Sequence, residues 1–265
     1  MKLAVQEHMV PGRTVAEKME NLRKFGYDGM EVRGWGLLER VEEIKRASEE
    51  TGVPISTVCA GFGGAPLSGD PKQREQAWRD IEQLLQAAGE LGAVGVIVVP
   101  VFIGHQPRIP DLSPLMTQRE AEDRLLVKCL KRAAKAAEKA GACILLEPLN
   151  RGETNYLRTL AHGVELCEKV NHPNVCLMAD FYHMNIEELN IPQALKRARK
   201  FLRHIHLAGN TRLLPNYGST DFRAGFNALR EIGYRYFMAL ECAIPGPPEK
   251  ELPKTARFLR RCMEG

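Results

Sequence analysis

The chain has 265 residues, 44% of them hydrophobic and 26% charged, enough for one large globular α/β domain and unlike a disordered or fibrous protein. Its formal charge of +4 arises from 37 basic and 33 acidic residues interleaved along the sequence. No nucleic-acid partner is expected from that distribution, and the locally basic 128–139 stretch reads as a solvated helix face. No run of roughly 18 apolar residues offers a membrane span.

The elements alternate from the first residues. LAVQEHM reads as a strand, and a helix over 14–25 follows, with Thr14 as N-cap, Glu17 three residues on and Gly26 as its stop. The strand GMEVRG precedes a helix over 37–51 closed by Gly52, and VPISTVCA runs into the Gly-rich connection GFGGAPLSGDP. Asp70–Pro71 opens a helix to Leu91, and AVGVIVVP is the fourth strand. The Pro-rich segment VFIGHQPRIPDLSPLMT is too long for an ordinary strand-to-helix turn and is expected to help cover the mouth of a site. A helix over 118–139 leads to ACILLE, and a helix over 160–170 to VCLMAD. A helix over 192–199 leads to FLRHIH, one over 222–232 to FMALE, and the last runs over 249–263.

Eight strands thus alternate with eight helices, without a linker or repeat. The strands are apolar runs without two-residue alternation, as expected of strands buried on both faces. A single (β/α)8 TIM barrel spanning residues 1–265 accounts for this pattern at a typical size of about 250 residues. An open doubly wound sheet would show a Gly-rich phosphate turn after its first strand, and HMVPGR is no such turn.

Four late strands end in a polar group: Glu147, Asp180, His206 and Glu241, each roughly 30 residues from the next, close to one strand–helix–strand unit. A solitary carboxylate at a strand tip most often just marks the end of the strand. Four such groups on consecutive strands would meet on one rim, where they would repel one another unless a cation lay among them. Carboxylate and imidazole donors without a thiolate suit Mn2+, Mg2+ or Co2+, and Zn2+ is compatible. Such an ion acidifies a C–H beside a carbonyl. Two bases on opposite faces would then give epimerisation, and one base moving a proton between neighbouring carbons an aldose–ketose isomerisation. His204 shares the inward parity of His206 but lies deeper, as a hydrogen-bonded barrel histidine, and His8 at the first strand end is a possible substrate contact.

ILLEPLNRGETNYL, VCLMADFYHMNIEE, HIHLAGNTRLLPNYGSTDF and ALEC together resemble the sugar isomerase/epimerase superfamily of xylose-isomerase-like barrels, and within it the ketose 3-epimerases. The resemblance covers essentially the whole chain. It implies one divalent ion, Mn2+ first among the candidates, held by Glu147, Asp180, His206 and Glu241. Glu147 and Glu241 would also be the catalytic proton-transfer pair, and Glu153, His183 and Arg212 would bind substrate. It further implies epimerisation of a ketose at C3 through a metal-stabilised enediolate, and a homodimer or homotetramer. The loops CAGFGGAP and PVFIGHQPRIP match no pattern that names a sugar. A free ketose or related polyol is favoured over a sugar phosphate, although the amides of residues 61–64 could cradle one. The same metal site would also serve a hydroxypyruvate-type or aldose–ketose isomerase, or a polyol dehydratase. An apurinic-site endonuclease would need further histidines where Cys59–Ala60 and Pro100–Val101 stand, and a sensor barrel would not need the full ligand set. Seven cysteines, odd in number and without CxxC spacing, indicate a reducing compartment. With an N-terminal apolar run too short for a signal peptide, a cytoplasmic location is expected.

Overall fold

In the computed structural model, which describes residues 1–264, eight parallel strands pair in sequence order and β8 closes onto β1. The order is β1 (Lys2–Gln6), α1 (Val15–Lys24), β2 (Gly29–Arg33), α2 (Val41–Thr51), β3 (Ile55–Cys59), α3 (Pro71–Glu90), β4 (Gly95–Val98) and α4 (Gln118–Ala140). Then follow β5 (Cys143–Leu146), α5 (Leu160–Val170), β6 (Val175–Asp180), α6 (Phe181–Glu187), α7 (Ile191–Ala198), β7 (Leu202–Leu207), α8 (Phe222–Glu231), β8 (Phe237–Leu240) and α9 (Pro248–Glu264). This is the expected TIM barrel.

Local sequence sets the element ends. The Thr14 side chain accepts from the Glu17 N–H, satisfying one of the free amides of α1, and Thr117 and Glu120 form a reciprocal capping box on α4. Gly52 and Gly141 end α2 and α4 in left-handed conformations that cost glycine little.

Three expectations need correction. The first strand stops at Gln6, and Glu7–Met9 form a 3-10 turn, because Glu7 leaves the sheet to pair with Arg40 at 2.7 Å and Lys18 at 3.4 Å. The second helix starts at Val41, four residues late, since residues 34–40 close successive turns through Leu37 N–H to Gly34 O and Arg40 N–H to Leu37 O. A ninth helix among the described residues, α6, begins directly at the end of β6, where the Asp180 carboxylate caps the Tyr182 N–H at 2.7 Å. His183 therefore stands on this helix, in its first turn.

The core has two parts. Between strands and helices lie large side chains such as Trp78, Phe181, Phe222 and Phe226, all fully buried. Inside the barrel, Ala4, Ile97, Leu145, Cys176, Met178 and Ala239 form a compact apolar floor. Above it lies a polar layer of Gln6, Glu31, Thr57, His204 and His206, none more than 2% exposed. All seven cysteines are free, in keeping with their use as small packing residues. Residues 99–117 fold back over neighbouring loops, with Ile103 N–H donating to Glu153 O and Gly69 N–H to Pro107 O. Among the described residues no helix is long and apolar enough to cross a membrane.

Candidate active site

Inward-facing positions at the C-terminal strand ends build the site. Asp180 is the last residue of β6 and pairs in register with His206 on β7; Glu147 and Glu241 each follow the last residue of their strands, β5 and β8. One ligand atom from each of Glu147, Asp180, His206 and Glu241 lies within 4.8 Å of all the others. His206 Nδ1 is 3.2 Å from Glu241 Oε2 and 3.7 Å from Glu147 Oε1, without hydrogen-bond alignment to either.

Burial makes this arrangement costly as it stands. Glu147 Oε1, Asp180 Oδ2 and His206 Nδ1 are all buried with no hydrogen-bond partner. Burial pushes the Glu147 carboxyl well above its usual range, and the charges of Glu241 and Asp180 add to the rise while His206 opposes it. Asp180 is raised too, by burial first. Glu241 goes the other way: burial, the largest single influence, would raise it, but the His206 charge together with hydrogen bonding from His206 and Gln6 brings it to about 2. Buried polar atoms left unpaired are rare in native proteins, and three converging on one spot fit a cation. The donor set of three carboxylates and an imidazole suits a hard or borderline divalent ion.

The imidazole is set for that role from below. His206 Nε2 lies 3.0 and 3.1 Å from the two Glu31 oxygens. A proton on Nε2 leaves the Nδ1 lone pair facing the carboxylates, the arrangement by which outer carboxylates orient metal-binding histidines. Glu31 is fully buried and also receives Gln6 Nε2 at 2.8 Å, Thr57 Oγ1 at 2.5 Å and His204 Nε2 at 2.8 Å. Burial would raise its carboxyl, yet the His206 and His204 imidazoles hold it well below the ordinary range. Gln6 bridges the two levels, donating to Glu241 Oε1 at 3.0 Å as well.

A second polar group flanks the first. Arg212 Nη1 donates to Glu153 Oε1 at 2.6 Å, and its guanidinium lies over the Tyr182 ring at 4.7 Å. Arg212 takes a left-handed φ of 58°, uncommon for a residue with a side chain and held here by Ala243 N–H on its carbonyl. His183 Nδ1 accepts from both the backbone and the side chain of Asn150, at 3.1 and 2.8 Å. The imidazole proton is thereby placed on Nε2, which lies 3.7 Å from Asp180 Oδ2 and has no partner. Asn150 also donates to Glu153, at 2.9 Å. All seven residues expected at the site are thus brought to one end of the barrel, in two adjoining groups.

Residues 19–262 match the family model described as xylose isomerase-like TIM barrel. The chain belongs to that family. The 3-dehydro-D-guloside 4-epimerase of Escherichia coli is 33% identical, aligned over 99% of this chain and 100% of that protein. The L-ribulose 3-epimerase of Mesorhizobium japonicum is 30% identical over 86% of this chain and 74% of its own length. Among solved structures, an apo 3-keto-D-glucoside 4-epimerase from E. coli superposes with a TM-score of 0.90 at 31% identity, covering 99% of this chain and 100% of that one. D-psicose 3-epimerase crystallised with D-tagatose shares the fold, with a TM-score of 0.84 at 22% identity and 99% coverage of both chains. The chain is an enzyme of the isomerase type.

In the polar layer beneath the rim of this xylose isomerase-like barrel, His204 is the hydrogen-bonded barrel histidine expected from sequence, whereas Gln6, Glu31 and Thr57 were not foreseen. Glu31 stands inside GMEVR, an otherwise apolar strand, and a carboxylate there must be paired. The HxH of β7 was the available signal for its partners. Asn150 had no such signal, because its contact with His183 depends on α6.

Two expectations arise here. Asp180→Asn keeps a side-chain oxygen for the α6 cap but removes a buried charge. Mn2+ affinity is expected to fall by at least about tenfold while the melting temperature of the metal-free protein changes little; isothermal titration and calorimetry read both. Metal uptake should also weaken on acidification. Glu147 and Asp180 have raised pKa values, and His206 too is held well above its usual range, burial being overcome by Glu31 and Glu241. Protons on these groups must leave as the ion enters. Titrations at about pH 8 and about pH 6 should show weaker binding at the lower pH and proton release at both; a pH-independent affinity would contradict the ligand set.

Proposed function

We propose that this chain is a divalent-metal-dependent sugar epimerase that inverts a hydroxyl-bearing carbon next to a keto group. The convergence of Glu147, Asp180, His206 and Glu241, with three unpartnered buried atoms among them, carries this reading. Those four residues would hold the ion, with Mn2+ the first choice. When bound, the ion would polarise the keto oxygen and acidify the neighbouring C–H.

The protein's own groups do the rest. Glu241 is partly open to the mouth and takes the proton from one face of the reacting carbon, leaving an enediolate. Glu147 reaches the site from β5, whereas Glu241 comes from β8, and as the second carboxyl group of the pair it returns a proton to the other face. Arg212 and the Nε2–H of His183 donate to substrate oxygens, and Glu153 accepts from a hydroxyl while holding Arg212. The buried polar layer and apolar floor close the site from below and exclude water. In a ketose with the keto group at C2, the inverted centre is C3. The full-length likeness to 4-epimerases favours a second form of the same chemistry, in which the keto group is at C3 of a glycoside and C4 is inverted.

Reaction in deuterated water tests this. Incubation with D-fructose, D-psicose, D-tagatose or a 3-keto-glucoside should give an epimer bearing deuterium at the inverted carbon. Deuterium at C1 of an aldose product would replace the epimerase by an isomerase. Arg212→Ala and His183→Ala are each expected to raise KM by about 10–100-fold, the worth of one charge-assisted or buried hydrogen bond, with metal affinity little changed. Unaltered kinetics in both variants would remove these residues from the substrate clamp.

A further inference from the structure

The Glu153–His183–Arg212 group occupies the side of the mouth formed by β5 to β7. The opposite side, at the tips of β1 to β3, carries a cation that the proposed chemistry does not use. Glu31 of β2 faces into the barrel, so Arg33, two residues on, shares its parity one level nearer the mouth. Its register partner on β3 is Cys59, whose thiol lies 3.8 Å from Glu241 Oε1. Gln6 of β1 faces Glu31, and His8 follows it by two residues; Arg33 Nη2 lies 3.3 Å from His8 Nε2. Burial and the Arg33 charge both push the His8 imidazole down, so it is neutral at pH 7 and accepts from Arg33.

Arg33 has no carboxylate within 4.0 Å among the described residues, whereas Arg40, Arg108, Arg151 and Arg212, in the loops at the same end, pair with Glu7, Glu122, Glu187 and Glu153. Acidic partners are supplied to these four and none to Arg33. Its root is rigid. Immediately after Arg33 the loops leaving β2 and β3 touch backbone to backbone: a Cβ on Gly34 would lie 2.1 Å from Ala60 O, and one on Gly61 2.2 Å from the Gly34 backbone. Ala60 takes a left-handed φ of 50° to make this crossing, and Gly34 N–H is bonded to Cys59 O.

We propose that Arg33 and His8 form an anion-binding subsite, so that the substrate sugar carries a carboxylate or phosphate at the end remote from the reacting carbon. The inference rests on the epimerase reading for the remainder of the substrate. A planar fork of donors with no carboxylate partner matches either group bidentately, and His8, fixed by Arg33, bounds the subsite on the β1 side. On this proposal the substrate is an acidic sugar, where sequence alone favours a free ketose.

Isothermal titration of the metal-loaded protein with D-fructose, D-fructuronate, D-fructose 6-phosphate and inorganic phosphate tests the subsite. At least one anionic sugar should bind about tenfold or more tightly than D-fructose, and which one does so identifies the anion. Arg33→Gln should abolish that preference and weaken inorganic phosphate by a similar factor, and Arg33→Lys should restore part of both. Equal affinities for neutral and anionic sugars, or a preference that survives Arg33→Gln, would overturn the subsite. If phosphate binding depends on Arg33 but no sugar is epimerised, the subsite stands and the reaction assignment falls. If D-fructose is epimerised without any anionic preference, the reverse holds.

Discussion

Glu241→Gln is expected to lower kcat by about 10²–10⁴-fold, the usual contribution of a positioned proton-transfer group, without unfolding the protein. The side chain stands above the polar layer, a quarter exposed, so its replacement opens no cavity. A glutamine oxygen can still accept from Gln6 Nε2, which holds Glu241 Oε1 at 3.0 Å. What is lost is the negative charge beside His206 and Arg212 and the ability to take a proton. Stopped assays and denaturation curves on the same preparation separate these effects. The wild-type rate in Glu241→Gln would refute the two-carboxylate mechanism. Glu147→Gln should be equally inactive yet make the metal-free protein more stable, since it removes a buried carboxyl that burial and neighbouring charges disfavour.

Glu31→Ala is expected to be the most damaging substitution outside the rim. Glu31 is the common acceptor for Gln6, Thr57, His204 and His206, side chains from β1, β3 and β7. Its removal leaves buried donors unpaired and frees the His206 ring to rotate, so stability should fall by about 3–5 kcal/mol, as when one partner of a buried pair is lost. Metal affinity should fall by about 10–100-fold, the usual cost of losing an outer carboxylate. Glu31→Gln keeps the shape and part of the hydrogen bonding, and should recover stability more than metal affinity. Urea denaturation and Mn2+ titration give the two numbers; unchanged Mn2+ affinity in both variants would mean that His206 does not depend on Glu31 for its orientation.

Sequence made the barrel and its rim legible because both rest on local pattern. Apolar runs interrupted by Thr14, Asp70, Gly52 and Gly141 define elements one at a time, and the strand tips follow from the ends of those runs. Glu147, Asp180, His206 and Glu241 stood out because each breaks an apolar strand at its end. Glu31 breaks one in the middle, and only barrel closure shows that it meets His206 across a separation of 175 residues. α6 was hidden for another reason. Asp180 serves both as a rim carboxylate and as the helix cap, so no turn residue separates β6 from the seven-residue helix that carries His183. The Arg33 subsite is likewise invisible in sequence, since an arginine at a strand end ordinarily finds a carboxylate, and its lack of one emerges only in three dimensions.

Anomalous diffraction from crystals grown with Mn2+ tests the central claim most directly. One strong peak per chain is expected, about 2.0–2.5 Å from oxygens of Glu147, Asp180 and Glu241 and from His206 Nδ1, with Glu31 still bonded to His206 Nε2. A peak elsewhere, or four side chains that stay apart with no ion between them at saturating Mn2+, would contradict it.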